Sequence, residues 1–286
     1  MASGHEKYVE VQVVRTIELP LCDLKVSRFI FGTASLFNVN VARPKERQNL
    51  LAAAVDAGFT HFDTAPYYGF GLAERDLAPI LKAHPEISFT SKVGIYSPGG
   101  EEQGNISVFL RKASGRILPA ISRPTIDFSV SRAKYALDAS LKRTGRDTID
   151  LYALHEPELR LLHVDEWQRW LEDCKFSGKV RQFGLDVTAD QLAPFLEHDV
   201  KIGNIIQLTD SLEDREADLL AGYGMPMQIT YGYEFAAMSR NSSLSVPEIL
   251  RQSLQRNRDG AVIVSTTKIS SLPQYAKIVE EVDHAV

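Results

Sequence analysis

The feature that most constrains this chain is a rhythm. Short apolar runs alternate with helix-like segments along nearly its whole length. The strand candidates are Phe29–Phe31, Thr60–Phe62, Ser88–Lys92, Ile149–Leu154, Val180–Leu185, Asn204–Leu208, Met227–Ile229 and Ala261–Val264. Each is bounded by Gly, Pro, Asp or charged residues, and near-continuous apolar character suits strands buried on both faces of a parallel sheet. Between them, Pro44–Ala57 opens on a favourable N1 proline and stops at Gly58. Arg132–Arg143 stops at Gly145, and Val164–Phe176 stops at Gly178. Thr188 reads as the N-cap of a helix through Leu196, and Ser211–Ala221, Pro247–Asn257 and Ser271–Val282 complete the set. A doubly wound sheet uses the same elements. Strand count, a length of 286 residues and the absence of a Pro/Gly/Ser linker favour a closed (β/α)8 TIM barrel. The chain is therefore expected to be a single domain over 1–286, with the barrel from about 28, and an N-terminal β-hairpin from Val9–Val14 and Leu24–Val26 capping the barrel bottom.

Composition narrows the partners. The net charge is −5, without the basic stripe of a nucleic-acid binder, so no nucleic-acid partner is expected. No apolar stretch approaches the ~20 residues of a membrane span, so no membrane partner is expected. The segment Met1 to Lys7 is polar and lacks the apolar core of a secretory signal, and Cys22 and Cys174 read as free thiols. These point to a cytoplasmic protein, either monomer or homo-oligomer. The 34 residues between Ile95 and Val130 form a long lid-like loop. Within it, Arg111, Lys112, Arg116 and Arg123 offer a basic rim to an anionic substrate, although charged loop residues are more often simply solvated. A second loop, Gly232–Val246, carries Phe235 and Met238.

Active sites of such barrels lie where the strands end. The second strand runs into Asp63-Thr64-Ala65-Pro66-Tyr67-Tyr68-Gly69, the third ends in Lys92 and the fourth in His155. A phenol with a pKa near ~10 donates protons poorly at neutral pH, and a buried lysine cation lowers it. An aspartate would hold the lysine charged, and a histidine would orient a substrate oxygen. Such a tyrosine suits proton transfer to or from a carbonyl or alkoxide oxygen. Each residue alone has a bland reading: Tyr68 as a mouth residue, Lys92 as a strand-end charge, His155 as a satisfied core histidine, Asp63 as a turn residue. The segment Gly69-Phe70-Gly71-Leu72-Ala73-Glu74 begins like a dinucleotide fingerprint but lacks its third glycine, so Gly71 reads as a helix opener and Glu74 as a first-turn acid. No zinc-like spacing of His or Cys occurs, so no metal is expected.

Together these segments closely resemble the aldo-keto reductase signature. The carriers are Asp-Thr-Ala-x-x-Tyr-Gly from Asp63, Thr-Ser-Lys-Val around Lys92, Asp-Leu-Tyr-x-Leu-His ending at His155, and Phe31-Gly32-Thr33-Ala34. The resemblance runs from about Arg28 to about Leu272. It implies a (β/α)8 barrel, a catalytic tetrad of Asp63, Tyr68, Lys92 and His155, and hydride exchange between a small carbonyl or alcohol and NADP or NAD. Lys92-Val93-Gly94 and Leu154-His155-Glu156-Pro157 resemble the sugar dehydrogenase branch that acts on aldoses such as galactose or fucose. It further implies that Gln207 contacts the nicotinamide amide and that Tyr231 stacks on its ring. The turn Ser265-Thr266-Thr267-Lys268 would hold a phosphate, with Lys268 giving a slight lean to NADP. The chain departs where the family has Gly-x-Ser-Asn: Gly184-Leu185-Asp186-Val187 leaves Asp186 able to accept from the amide nitrogen but, when ionised, unable to donate to its oxygen. The family's last-helix asparagine aligns near Tyr275. These departures keep open weak or altered nicotinamide binding, or the tetrad serving non-redox proton chemistry (lyase, dehydratase or epimerase); a non-catalytic binding subunit is a further reading, against which the intact tetrad argues.

Overall fold

A computed structural model describes residues 14–37, 43–104 and 123–283. Its centre is a closed barrel of eight parallel strands. These are β3 (Phe29–Gly32), β4 (His61–Asp63), β5 (Ser88–Val93), β8 (Ile149–His155), β9 (Val180–Val187), β10 (Ile205–Thr209), β11 (Ile229–Tyr231) and β12 (Ala261–Val264). The ring closes where β12 pairs with β3, Val262 opposite Phe29 and Val264 opposite Phe31. The (β/α)8 barrel read from the sequence is therefore the fold.

Strand periodicity sorts the core. Phe29 and Phe31 belong to the large layer between strands and helices, and Ile30 to a second cluster inside the barrel. That inner cluster also holds Leu151, Ile205, Ile229 and Ala261, and it is sealed by Leu19, Leu24 and Val26. The sealing residues come from the hairpin of β1 (Thr16–Glu18) and β2 (Lys25–Ser27), paired antiparallel with Ile17 opposite Val26. A hairpin plugs the barrel bottom as expected, but its first strand is Thr16–Glu18 rather than Val9–Val14, of which only Val14 lies among the described residues. Buried Arg28 then ties the base together by donating to the carbonyls of Leu254, Asn257 and Gly260.

The helices match the punctuation in the sequence, with two exceptions. Helices α1 (Pro44–Asp56), α2 (Leu72–Ala83), α3 (Val130–Thr144), α4 (Val164–Phe176) and α5 (Ala189–Glu197) follow their strands. Thr188 caps α5 in a box with Gln191: its Oγ1 accepts from Gln191 N, and Gln191 Oε1 accepts from Thr188 N. The first exception is Ser211–Ala221, where only α6 (Asp218–Gly222) is helical. Side chains take the backbone donors there: Ser211 Oγ accepts from Asp214 N, and Asp210 Oδ1 from Ala217 N. Such local bonds compete with a helix ladder. The second is the loop after β11, which contains α7 (Tyr233–Ser239) with Phe235 and Met238 on its exposed side. The seventh strand also lies two residues later than expected; just before it, the Gln228 side chain braces the base, donating to Pro20 and Asn204 carbonyls and accepting from Ile206 N. Helices α8 (Val246–Arg256) and α9 (Leu272–Asp283) finish the ring.

The long loop after β5 is pinched at its base by β6 (Ile95–Tyr96) pairing with β7 (Thr125–Ile126). Arg75 holds its first limb by donating to the carbonyls of Glu101 and Gln103. Arg111, Lys112 and Arg116 lie outside the described residues, and Arg123 is exposed.

Candidate active site

The same two-residue period carries the site. Phe62, Phe89, Leu154, Leu185 and Leu208 pack outward under the helices, so Asp63, Lys92, His155, Asp186 and Gln207 turn into the barrel. Register sets them side by side at the strand ends. Lys92 is opposite Ala153, His155 opposite Asp186, and Asp186 opposite Gln207. Tyr68 reaches in from the turn after β4, where its N–H bonds the Ala65 carbonyl and its own carbonyl accepts from Ala73 N. Gly71, at φ 85°, opens α2 immediately beyond, as the sequence indicated.

Lys92 is the hub. Its Nζ is 2.9 Å from Tyr68 Oη, 3.0 Å from Asp63 Oδ1 and 2.8 Å from Asp186 Oδ2. Gln207 Nε2 donates to the other oxygen of Asp63 at 3.1 Å. The His155 ring stands edge-on to Tyr68 with centroids 5.9 Å apart, and His155 Nε2 is 3.7 Å from Asp186 Oδ2. The four residues expected to form a tetrad are thus brought together.

Burial and charge then set protonation. Burial works against the Lys92 ammonium, but Asp186 and Asp63 outweigh it and hold its pKa well above the ordinary value. Burial also opposes ionisation of Asp186, yet Lys92 brings it below the usual carboxylate range. Asp63 goes the other way: burial raises it, and Lys92 only partly compensates. Burial and Lys92 together push His155 down to about 4, so the imidazole is neutral at neutral pH. The expected lowering of the Tyr68 pKa is corrected here. Burial raises the phenol, Lys92 opposes, and Asp63 and Asp186 add to the rise, so the net shift is upward.

The residues expected at a cofactor are more dispersed. Asp186 lies in the charged cluster itself, an arrangement the sequence reading missed. The signal was available in the alternation Gln182, Gly184, Asp186 against apolar Phe183, Leu185, Val187, which turns Asp186 inward beside Lys92. Val187 is fully buried on the outer side, away from the mouth. Tyr231 is half-buried at the end of β11, its phenol raised by burial and by Asp186. Ser265 Oγ donates to the Gly32 carbonyl, Thr266 Oγ1 accepts from Lys268 N, and Lys268 is exposed. Tyr275 is a core residue, its ring 5.4 Å from Phe29 and 5.6 Å from Phe59.

A nicotinamide group, which the signature implies, can be tested against buried atoms left without partners. Asp186 Oδ1 and Gln207 Oε1 make no hydrogen bond, and their residues are paired across β9 and β10. Two bare acceptors fit the amide nitrogen of a carboxamide. Its oxygen finds no matching donor from these residues, since Gln207 Nε2 serves Asp63 and Val187 is apolar. The residues fit the group, with a one-sided cradle. Among the described residues no group of three or more His, Cys, Asp or Glu is arranged to hold a metal, and no helix is long and apolar enough to cross a membrane.

The Aldo/keto reductase family profile matches residues 28–203, which contain the whole Lys92 cluster except Gln207. The chain belongs to the aldo/keto reductase family. Among curated relatives of this aldo/keto reductase, 6-dehydroglucose reductase of Novosphingobium aromaticivorans is 34% identical over 161 residues, 54% of this chain and 46% of that protein. D-threo-aldose 1-dehydrogenase of a Pseudomonas species is 30% identical over 54% of this chain and 48% of its own length. L-galactose dehydrogenase of Arabidopsis thaliana is 29% identical over 57% and 45%. The chain thus spans about half the length of these relatives. Among solved structures, an aldo-keto reductase of Bacillus halodurans in its holo form superposes with a TM-score of 0.69 at 20% identity, covering 95% of both chains. Glycerol dehydrogenase of Gluconobacter oxydans gives 0.68 at 20% identity, covering 94% of this chain and 93% of its own. At such identity these two speak for the fold.

Proposed function

We propose that this aldo/keto reductase interconverts a carbonyl and an alcohol on a sugar-like substrate, using NADP(H) or NAD(H), with Tyr68 as the general acid and base. The observation that carries the reading is the contact of 2.9 Å between Lys92 Nζ and Tyr68 Oη at the barrel mouth, with neutral His155 beside it. The sugar substrates in the names of the curated relatives support the substrate class.

Bound nicotinamide supplies the hydride in reduction and takes it up in oxidation. This chain's residues handle the proton. As a carbonyl is reduced, Tyr68 gives its phenolic proton to the developing alkoxide, and Lys92 stabilises the phenolate left behind. His155, neutral above about pH 4, can bond a substrate oxygen without competing for the Tyr68 proton. Asp63 keeps Lys92 charged and aimed, and Gln207 fixes Asp63 in turn. The protonated phenol that burial enforces is the starting state for reduction. In the reverse direction the phenolate is needed, and added positive charge nearby would favour it. Asp186 and Gln207 would receive the carboxamide nitrogen and Tyr231 the ring, while the Ser265–Thr266 turn and Lys268 would meet a phosphate.

Titrating the purified protein with NADPH and NADH, followed by fluorescence quenching, tests the reading. Saturable binding of at least one is expected. No binding of either, with product formed and no cofactor required, would transfer the tetrad to non-redox proton chemistry.

A further inference from the structure

The Lys92 cluster contains two carboxyl groups and one ammonium. Asp63 and Asp186 are both almost fully buried and share a single ammonium, at 3.0 and 2.8 Å. Where the family pattern has a neutral serine, Asp186 adds one carboxylate with no cation to match it. The titratable groups that face Asp186 from the surrounding strands are Lys92 on β5, Asp63 on β4, Tyr68 beyond β4, His155 and Glu156 at the end of β8, and Tyr231 on β11. Two tyrosines and a neutral imidazole bring no charge, and Glu156 is a further acid. Among the described residues, neither Asp63 nor Asp186 is within salt-bridge distance of an arginine or of a second lysine. Asp186 Oδ1 is buried and bare, beside the equally bare Gln207 Oε1. A buried carboxylate without a countercharge either keeps a proton or favours an approaching cation.

We propose that Asp186 makes this site selective for the oxidised form of the nicotinamide dinucleotide over the reduced form. This rests on the redox reading above. The oxidised ring is a cationic pyridinium and the reduced ring is uncharged, while the rest of the molecule is the same. A ring bound at the mouth near Lys92 is also near Asp186, so the extra carboxylate contributes to the binding of one form and not the other. The bare acceptors give the carboxamide nitrogen the same bonds in both forms and leave the discrimination to charge. The same cation draws the Tyr68 proton toward release, which is the direction alcohol oxidation requires.

The test is isothermal titration of the full chain with NADP+, NADPH, NAD+ and NADH at neutral pH. In the wild type the reduced-to-oxidised ratio of Kd is expected to exceed one. Phosphates common to both forms cancel in that ratio. In Asp186→Asn, which keeps shape and removes charge, the ratio is expected to fall about tenfold. Asp186→Ser should do the same. If these variants fail to fold, a wild-type ratio at or below one overturns the proposal by itself. Binding of both forms with a ratio unchanged in a folded variant overturns the role of Asp186 and leaves the redox reading standing. Binding of none of the four dinucleotides overturns both.

Discussion

The shortest contact of the Lys92 ammonium is to Asp186, 2.8 Å between Nζ and Oδ2, ahead of Asp63 at 3.0 Å. The lysine is therefore clamped between two strands on either side of it, β4 and β9, as well as facing Tyr68. Lys92→Met leaves two buried carboxyl groups with no countercharge. The expected loss is about 3–5 kcal/mol of stability, read from urea unfolding. Adding Asp186→Val to Lys92→Met removes one orphaned charge and should recover part of that loss, a non-additivity that an unpaired Asp186 would not produce.

Tyr68→Phe removes the proton donor and keeps the ring against His155. Turnover is expected to fall about 10²–10⁴-fold while dinucleotide Kd changes less than about twofold. Steady-state kinetics beside a binding titration checks the split. A parallel loss of binding would assign Tyr68 to cofactor retention instead.

Below the site, His61 is buried with Nδ1 2.7 Å from Ser88 Oγ and Nε2 2.8 Å from Thr90 Oγ1. Burial lowers its pKa from 6.5 to about 3. In the window between these values the unfolded chain binds a proton that the folded chain refuses. Stability from this group is therefore complete above about pH 6.5 and declines as pH falls toward about 3, at up to about 1.4 kcal/mol per pH unit. Asp63, whose pKa is raised, acts in the opposite sense, so the test is a difference. Urea unfolding of wild type and His61→Gln at pH 7.5, 6 and 5 should show a shallower acid decline in the variant.

Gly71 and Gly145 separate backbone strain from crowding. Both have positive φ, 85° and 69°, yet a Cβ at Gly71 would overlap the Glu101 carbonyl oxygen, and one at Gly145 meets nothing within 4 Å. Gly145→Ala should cost only the left-handed backbone penalty of about 1–2 kcal/mol. Gly71→Ala should cost clearly more, because the Glu101 limb of the long loop must move. Thermal unfolding of both variants gives the comparison.

Much of this was legible in the chain. The strands announced themselves because each is buried on both sides, and glycines and prolines marked the helix ends. Asp63, Lys92 and His155 fall at strand ends, so a barrel brings them to one mouth. What local pattern could not supply was competition between partners. Asp210 and Ser211 spend their side chains on backbone donors, which shortens the helix expected over Ser211–Ala221. The upward shift of Tyr68 comes first from burial at the barrel mouth, to which Asp63 and then Asp186 add, and burial at that depth is set by the whole barrel rather than by local sequence. The parity of Gln182, Gly184 and Asp186 was readable, but its meaning depended on the β8–β9 register that sets His155 opposite Asp186.

The most direct test of the central claim is absorbance at 340 nm after mixing the full chain with NADP+ or NAD+ and a panel of free aldoses, in wild type and Tyr68→Phe. Growth of the reduced-cofactor band in the wild type, lost in the variant while binding persists, is the predicted result. Aldose conversion with no change at 340 nm, or a band that grows equally in Tyr68→Phe, would contradict it.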